Sequence, residues 1–258
     1  MKVSIWRAYP IKDVTMKVAI VSDIHGNIEA LDAVLADIDR MGIGRIVCLG
    51  DAIGYGPDPD IVVERLRERA VSCIVGNHEL GVLGRLDLHW FNRAVRESLW
   101  MTRSLLTQDD MRFIEGLPET LSLGRGLFVH GVPPRSAITY LFSVSDMGLR
   151  RIFSRMEERV CFVGHTHLLG MVRFDGENIT RGLPHEGCTK LDLRWDGKCI
   201  VNAGSVGQPR DGNNAAKYVI WDVEGESVET RFVPYDFETT VGKLLDRGLP
   251  VEFARRLR

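Results

Sequence analysis

KVAIVSDIHGN, residues 17–27, introduces a pattern that recurs along the chain: a short apolar run rich in β-branched residues that ends in a glycine-rich, polar corner. Near-continuous apolar runs of this kind predict strands that are covered on both faces. The same shape returns in RIVCLGDAIGYG at 45–56, VSCIVGNHE at 71–79, GLFVHG at 126–131, VCFVGHTH at 160–167 and CIVNAGSVGQ at 199–208. The sequence therefore predicts a sheet whose polar corners follow its strand ends.

Helical patterns separate the first of these strands. Residues 27–42 place their apolar side chains on one stripe, with Asn27 as a candidate N-cap and Gly42 as a candidate stop. Residues 58–70 predict a second helix, and 90–106 and 107–118 predict two more. The chain thus begins as β-α-β-α-β, which is typical of an α/β sheet.

Beyond residue 160 the pattern favours antiparallel strands. Four runs contain or flank Asp-Gly and Glu-Gly pairs, which are typical of hairpin turns. These runs lie at 171–179, 190–197, 215–223 and 227–235. Two helices, near 237–247 and 250–257, are predicted to finish the chain.

The composition is that of an ordinary soluble globular protein: 258 residues, 45% of them hydrophobic, with a net charge of −2. This balance provides no global basic surface for a nucleic acid. No apolar run approaches the roughly 18 residues of a membrane span, and the N-terminus lacks the apolar region of a secretory signal. We expect one domain over 16–258, preceded by an extension at 1–15 whose Met-Lys-Val start is repeated at 16–18.

The cysteines indicate a reducing compartment. Five of them lie at positions 48, 73, 161, 188 and 199, without a C-x-x-C pair. Three lie inside predicted strands, where a reduced cysteine packs as a small apolar residue. We therefore expect a cytoplasmic protein.

The polar residues at the strand ends form a set with a shared chemistry. Ligands of open α/β sheets bind at the edge formed by the carboxyl ends of the strands. Imidazole, carboxylate and amide donors without thiolate suit divalent ions, and their number suits two ions that share a carboxylate. Two ions about 3.5–4 Å apart favour phosphoester hydrolysis, because they neutralise phosphoryl oxygens and activate water. The set comprises Asp23, His25, Asp51, Asn77, His78, His130, His165 and His167.

His165 and His167 have two interpretations when taken alone. Residues i and i+2 of a strand point to the same face, so both imidazoles could hold one ligand together. Both could also be polar residues of a surface turn. The two other histidines, His89 and His185, follow no predicted strand and are interpreted as ordinary polar positions.

Five blocks of sequence resemble the calcineurin-like metallophosphoesterase family: DIHGN, GDAIGYG, GNHE, VHG and GHTH, in this order. They match the family pattern of D-x-H, G-D, G-N-H-[DE], a lone H and G-H-x-H between residues 23 and 167. NAGSVGQPRDG at 202–212 further resembles the small bacterial and archaeal members. The resemblance implies a mixed α/β fold of four layers, αββα, with two mixed β-sheets flanked by helices.

The resemblance also implies a role for each polar residue. One metal ion would be held by Asp23, His25 and His167, the other by Asn77, His130 and His165, and Asp51 would bridge them. His78 would not be a ligand: it would protonate the leaving oxygen or steady the transition state while a metal-bridging hydroxide attacks the ester. His165 and His167 would then serve neighbouring ions, whose identity is left open among Mn, Fe, Ni, Zn and Mg.

Several nearby residues have more than one interpretation. Asn27, Tyr55 and Arg210 are candidate substrate contacts; the alternatives are a helix cap for Asn27 and a solvent-facing turn for Arg210. Glu79 either supports His78 or is an acid at a helix start. The aromatic residues of HWFNRAVRESLW at 89–100 recur at helical spacing, which predicts core or helix packing.

One departure from the family pattern narrows the substrate class. The family's protein Ser/Thr phosphatases carry an arginine just after the second block, in G-D-x-V-D-R-G, and its diadenosine tetraphosphatases share that motif. GDAIGYG at 50–56 has no arginine to grip a phosphomonoester dianion. We therefore expect a small-molecule phosphodiesterase. The alternatives are a phosphomonoesterase resembling the protein phosphatases, a dinucleoside polyphosphate hydrolase, and a non-catalytic metal-binding scaffold.

The expected partner is accordingly a small-molecule phosphoester. We expect neither a membrane nor a nucleic acid as partner, since a nuclease would usually need a basic groove or an added capping domain. A homo-oligomer is left open.

Overall fold

The computed structural model describes residues 16–182 and 189–258. The predicted extension at 1–15, His185 and Cys188 lie outside these ranges. The strands are β1 Lys17–Val21, β2 Arg45–Cys48, β3 Ser72–Cys73, β4 Thr120–Leu123, β5 Gly126–Val129, β6 Val160–Val163, β7 Leu169–Phe174, β8 Ile179–Gly182, β9 Thr189–Asp192, β10 Lys198–Ala203, β11 Ala216–Asp222 and β12 Ser227–Val233. The helices are α1 Ile28–Arg40, α2 Pro59–Glu68, α3 Asn77–Val82, α4 Arg93–Leu105, α5 Gln108–Glu115, α6 Asp146–Arg155, α7 Phe237–Asp246 and α8 Val251–Leu257.

The strands form two mixed sheets of six. The first has the order β3-β2-β1-β11-β12-β9, and the second β4-β5-β6-β10-β7-β8. In the first sheet β1, β2 and β3 run parallel, and in the second β5, β6 and β10 do. The predicted β-α-β-α-β opening is confirmed, and both parallel groups direct their carboxyl ends to the same side of the molecule.

The two sheets pack face to face, with helices on their outer faces. On β1, Val18 and Ile20 point into the core between the sheets, whereas Ala19 and Val21 pack under α1 and α2. This two-sided burial explains why the strand is apolar at every position but the first. Across the interface, the Phe162 ring lies 5.2 Å from the ring of Trp221. With α6 covering the second sheet, the predicted four-layer arrangement is confirmed.

The three Asp-Gly and Glu-Gly pairs within or beside the four antiparallel runs predict three hairpins, and two of them are confirmed. β7 and β8 pair around Asp175-Gly176, and β11 and β12 pair around Glu224-Gly225. The third, between β9 and β10, is wrong: β9 pairs with β12 in the first sheet, and β10 pairs with β6 and β7 in the second. The linking segment 193–197 crosses between the sheets because Leu193 is buried in their common core and Arg159 donates hydrogen bonds to its carbonyls.

The predicted packing of the cysteines is also confirmed where the chain is described. Cys48, Cys73 and Cys161 are free thiols buried in or beside the sheets, as is Cys199. Among residues 16–182 and 189–258, no helix has the length and apolar character needed to cross a bilayer.

Candidate metal centre

The corners that follow β1, β2, β3, β5 and β6 meet in one place and bring together all eight polar residues predicted from the strand ends. Backbone hydrogen bonds tie these corners to one another. The N–H of Asp23 donates to the carbonyl of Gly50 over 3.1 Å, and that of His25 to the carbonyl of Asp51 over 3.0 Å. On the second sheet, the N–H of Gly164 donates to the carbonyl of His130 over 2.8 Å. The eight side chains are all buried.

One cluster consists of Asp23, His25 and His167, whose donor atoms lie within 4.8 Å of one another. His167 Nε2 lies 3.2 Å from His25 Nε2 and 3.3 Å from Asp23 Oδ1. Four ligands at about 2.1 Å from a tetrahedral ion lie about 3.4 Å apart, so these spacings fit one ion. Within the described ranges, the buried Asp23 Oδ1 has no hydrogen-bond partner, which is consistent with a ligand atom.

A second cluster consists of Asp51, His130 and His165. His130 Nε2 lies 3.2 Å from Asp51 Oδ2 and 3.0 Å from Asn77 Oδ1, which adds an amide oxygen to the group. The Nε2 atom of His165 is buried and lacks a partner in the described part of the chain. Asp51 Oδ2 also lies 3.9 Å from His25 Nε2, so this one carboxylate faces both clusters.

The imidazole rings are oriented by the backbone. The Nδ1 atoms of His25, His130 and His167 lie 3.0, 2.8 and 2.6 Å from the carbonyl oxygens of Ile53, Leu49 and Gln208. Because a carbonyl can only accept, each Nδ1 carries the proton and donates, which directs Nε2 toward the clusters. A hydrogen bond to the second ring nitrogen is the usual support of a metal-binding histidine.

The electrostatics of the buried site favour a bound cation. Burial raises the pKa of Asp23 to about 7, against the opposing effect of His130, and the nearby Asp51 carboxylate raises it further. Burial also lowers the pKa of His25 and of His167 well below the usual range, so both rings are neutral near pH 7. Metal ligation requires neutral imidazoles and ionised carboxylates. His25 and His167 have the first state near pH 7, and a bound cation would favour the ionised state of Asp23. The donor atoms of these clusters suit a divalent metal ion.

Strained backbone is concentrated at these corners. Of the eight non-glycine residues with positive φ in the described ranges, six belong to the corners: Asp23, His25, Asp51, Tyr55, His165 and His167. Residues in this sparsely populated region gather at functional sites, where the surrounding structure imposes the conformation.

The left-handed backbone also separates the two histidines of GHTH. The φ angles of His165 and His167 are 66° and 60°, so neither residue continues the strand. The interpretation that both point to one face and hold one ligand is wrong. His165 joins the Asp51 cluster and His167 joins the Asp23 cluster, and the intervening backbone turns between them.

Glycine is required where these corners approach one another. A Cβ on Gly164 would collide with the Ser22 hydroxyl and lie 2.6 Å from Asp23 Oδ2. A Cβ on Gly76 would collide with the Asp51 carboxylate. These glycines therefore allow the corners to pack against one another.

His78 lies beside the clusters, at the start of α3. Its ring is 4.7 Å from the His25 ring, and its Nε2 is 4.0 Å from Asp51 Oδ2. His78, His25 and Asp51 also have donor atoms within 4.8 Å of one another. However, His25 and Asp51 already belong to the two clusters described above. Burial lowers the pKa of His78 to about 4, so the ring is neutral near pH 7.

Glu79 has a role that the sequence interpretation missed. Its buried carboxylate accepts hydrogen bonds from the N–H groups of Asp51, Ala52 and Gly76 over 2.9, 2.8 and 2.8 Å, and from that of Ile53 over 3.3 Å. It therefore fixes the corner that carries Asp51. The helix-start interpretation is confirmed in part, because the bond from the Gly76 N–H caps α3, but the carboxylate also binds the Asp51 corner rather than His78. The sequence shows a carboxylate two residues after Asn77, in GNHE. It does not show that this carboxylate binds a corner elsewhere in the chain.

Asn27 acts as the helix cap. Its Oδ1 accepts from the N–H of Ala30 over 3.1 Å, and its Nδ2 donates to the carbonyl of Gly207 over 2.9 Å and to the hydroxyl of Tyr235 over 3.1 Å. The Thr240 hydroxyl donates to Oδ1 as well. Its polar atoms are thus engaged within the protein, which favours the helix cap over a substrate contact.

Tyr55 and Arg210 both line the cleft that opens onto the clusters, a space of about 280 Å³. The Tyr55 ring lies 4.6 Å from the rings of His25 and His78. An Arg210 amine donates to the Tyr55 hydroxyl over 3.4 Å and to the Gln208 side-chain oxygen over 3.1 Å. The buried Nε of Arg210 has no acceptor among the described residues.

The aromatic residues of 89–100 do not all pack in the core, which corrects the sequence interpretation. Phe91 is buried against α4, but Trp90 is 41% exposed and Trp100 is 62% exposed. α4 begins only at Arg93, because Asn92 caps it, and this places Trp90 in a single 3-10 turn before the helix. Trp90 there lines the cleft together with Tyr140.

Known proteins match almost the whole chain. Residues 16–226 match the model of the calcineurin-like phosphoesterase superfamily domain. An uncharacterised protein of Methanocaldococcus jannaschii is 38% identical, over 93% of this chain and 96% of its own length. A metallophosphoesterase from Sphaerobacter thermophilus has a crystal structure with a TM-score of 0.83 and 34% identity, covering 95% of this chain and 98% of that one. A hypothetical protein of Pyrococcus horikoshii shares the fold, with a TM-score of 0.76, 20% identity and coverage of 93% and 97%.

Proposed function

The chain belongs to the calcineurin-like phosphoesterase superfamily, and on this premise we propose that it is a metal-dependent phosphodiesterase of small molecules. The family supports a phosphoester hydrolase. The substrate class is our proposal, and it rests on the lining of the cleft.

We assign the two clusters to two divalent ions. Asp23, His25 and His167 would hold one, Asn77, His130 and His165 would hold the other, and Asp51 would bridge them. When bound, such ions neutralise phosphoryl oxygens and lower the pKa of an attacking water. The donor set suits Mn, Fe, Ni, Zn or Mg, because nitrogen and oxygen ligands without thiolate accept several of these metals.

The remaining steps belong to the protein. His78 lines the same cleft, and its Nε2 lies 4.0 Å from Asp51 Oδ2, so this ring nitrogen is on the side of the clusters where an ester would bind. A neutral ring favours the second of its two predicted roles: it donates a hydrogen bond that steadies the charged phosphoryl group in the transition state.

Tyr55 is the observation that carries the diesterase assignment. It occupies the position in GDAIGYG at which the phosphatase motif has its arginine, and its uncharged ring faces His25 and His78. Of the described residues that line the cleft, only Arg210 is a lysine or arginine. A phosphodiester carries one negative charge and a phosphomonoester up to two, so this lining favours the diester.

Arg210 favours a second candidate, a phosphomonoesterase. Its guanidinium reaches the Tyr55 hydroxyl from the loop at 204–212, and so brings a cation to the place that the motif leaves uncharged. A planar guanidinium binds a phosphate in bidentate fashion. Arg210 could thus replace the missing arginine.

Hydrolysis of a matched pair of esters separates the two candidates. We expect the full chain, with added Mn²⁺, to hydrolyse bis-p-nitrophenyl phosphate with a higher kcat/KM than p-nitrophenyl phosphate. A higher kcat/KM for the monoester would support the phosphatase. No hydrolysis of either ester by a chain that carries two metal ions would contradict both and favour a non-catalytic scaffold.

A further inference from the structure

Three aromatic side chains lie on the side of His165: Trp90 and Tyr140 line the cleft, and Phe142 stacks on Tyr140. The Tyr140 ring lies 4.0 Å from the His165 ring at an interplanar angle of 14°, and the Phe142 ring lies 5.0 Å from Tyr140, also at 14°. The Trp90 ring lies 6.2 Å from His165 at 25°. We call Trp90, Tyr140 and Phe142 the aromatic rim.

The rim contributes to no buried apolar cluster of the described residues. Trp90 is 41% exposed and Phe142 is 69% exposed. Their neighbours in the chain, Phe91 and Leu141, are the residues that enter the core. Each rim segment is therefore anchored by a buried residue while the large rings beside it remain accessible. Protein stability does not explain this exposure.

The rim is continuous with the reaction centre. Trp90 and Tyr140 line the same cleft as Asp51, His165 and Arg210. The backbone N–H of Arg210 contacts the carbonyl of His167, which belongs to the Asp23 cluster, whereas the rim adjoins His165 of the Asp51 cluster. A phosphoester held at the clusters would thus have a cation near one metal-ligand group and flat aromatic surfaces near the other.

We propose that the aromatic rim binds a nucleobase of the substrate, so that the natural phosphoesters of this enzyme are nucleotide esters. This inference rests on the proposed function and deepens it. Aromatic side chains at the edge of a nucleotide site stack on the base, and the interaction tolerates different bases because each has a flat face. Specificity for the base by hydrogen bonding is not part of the proposal.

The test compares two ligands that differ only by the base. AMP and ribose 5-phosphate share the sugar and the phosphate, and their affinities for the Mn²⁺-loaded full chain can be measured by titration calorimetry. We expect AMP to bind about 5- to 100-fold more tightly than ribose 5-phosphate. Trp90→Ala and Phe142→Ala should reduce this ratio, and Trp90→Phe should keep part of it.

Trp100→Ala is the matched control. This tryptophan is also exposed, at 62%, but does not line the cleft, so its removal should leave the ratio unchanged. A ratio near one in the unmodified chain would overturn the proposal. So would equal ratios in Trp90→Ala, Phe142→Ala and Trp100→Ala. Metal content and circular dichroism show that each variant is folded and loaded.

The outcomes also distinguish this inference from the proposed function. If the chain hydrolyses bis-p-nitrophenyl phosphate but binds AMP no better than ribose 5-phosphate, the proposed function is supported and the role of the rim is contradicted. The opposite outcome is a metal-loaded chain that hydrolyses no phosphoester but prefers AMP, with the preference lost in Trp90→Ala. This result would support the rim as a nucleotide-binding surface and contradict the proposed function.

Discussion

The floor and the wall of the cleft are built in different ways. The floor comprises the eight buried residues that follow the parallel strands, and backbone carbonyls hold three of its imidazoles at Nδ1. The wall comprises Tyr55, Arg210 and the aromatic rim, which lie outside the strands and long helices. The rings of Tyr55, Trp90 and Tyr140 pack on floor histidines, and Arg210 donates a hydrogen bond to Tyr55. The ends of the strands therefore define the reaction centre, whereas the loops determine which substrate binds there. Changes to the floor should therefore have larger effects than changes to the wall.

Removal of the shared carboxylate should have the largest effect. Asp51 faces both clusters, so Asp51→Asn should release metal from both and lower kcat/KM by more than about 10³-fold. Elemental analysis and ester hydrolysis measure the two losses. Asp109→Asn, an exposed aspartate on α5, is the control. Unchanged metal content in Asp51→Asn would show that Asp51 does not bridge.

His78 should separate catalysis from metal binding. Because it lies beside the clusters without completing either, His78→Ala should retain the metal yet lower turnover by about 10²–10³-fold, the usual cost of removing one transition-state hydrogen-bond donor. His165→Ala should instead lose metal, and His89→Ala, at an exposed histidine, should change neither property. Equal metal loss in the His78 and His165 variants would contradict their separate roles.

Glu79 tests whether the floor depends on its support. The carboxylate of Glu79 accepts hydrogen bonds from four backbone N–H groups. Glu79→Gln replaces one carboxylate oxygen by an amide N–H₂ group, which cannot accept these bonds. We expect metal affinity to fall about 10- to 100-fold, and the free energy of unfolding to fall by about 1–3 kcal/mol. Metal titration and urea denaturation measure both. If Glu79→Gln behaves like the exposed control Glu64→Gln, the Asp51 corner does not need this carboxylate.

Arg210 should have the smallest effect, as a part of the wall. Its guanidinium contacts uncharged groups of the protein, so Arg210→Ala should leave the fold and metal content unchanged and raise KM about tenfold. We expect a similar increase for mono- and diester. A loss confined to the monoester would identify Arg210 as a phosphatase clamp. Arg151→Ala, on the exposed face of α6, is the control.

The floor could be predicted from the sequence because it depends on local features. Apolar runs predict strands, parallel strands align their carboxyl ends, and Asp23, His130 and His165 directly follow strands or their terminal corners. The left-handed φ of His165 and His167 could not be predicted, since non-glycine residues rarely adopt it.

The wall and some of the pairings could not be predicted because they depend on contacts between distant segments. The Asp-Gly turn after β9 is locally indistinguishable from a hairpin, but Leu193 and Arg159 take the chain to the other sheet. Trp90 fits a helical spacing, yet the cap at Asn92 excludes it from α4. Glu79 reaches a corner 28 residues away in sequence.

A crystal of the Mn²⁺-loaded chain, with diffraction data collected at the manganese absorption edge, tests the central claim most directly. The account predicts two anomalous peaks about 3.5–4 Å apart, with Asp51 between them. One peak should be surrounded by Asp23, His25 and His167, and the other by Asn77, His130 and His165. A single peak, or two peaks that do not share Asp51, would contradict a dinuclear centre at these strand ends.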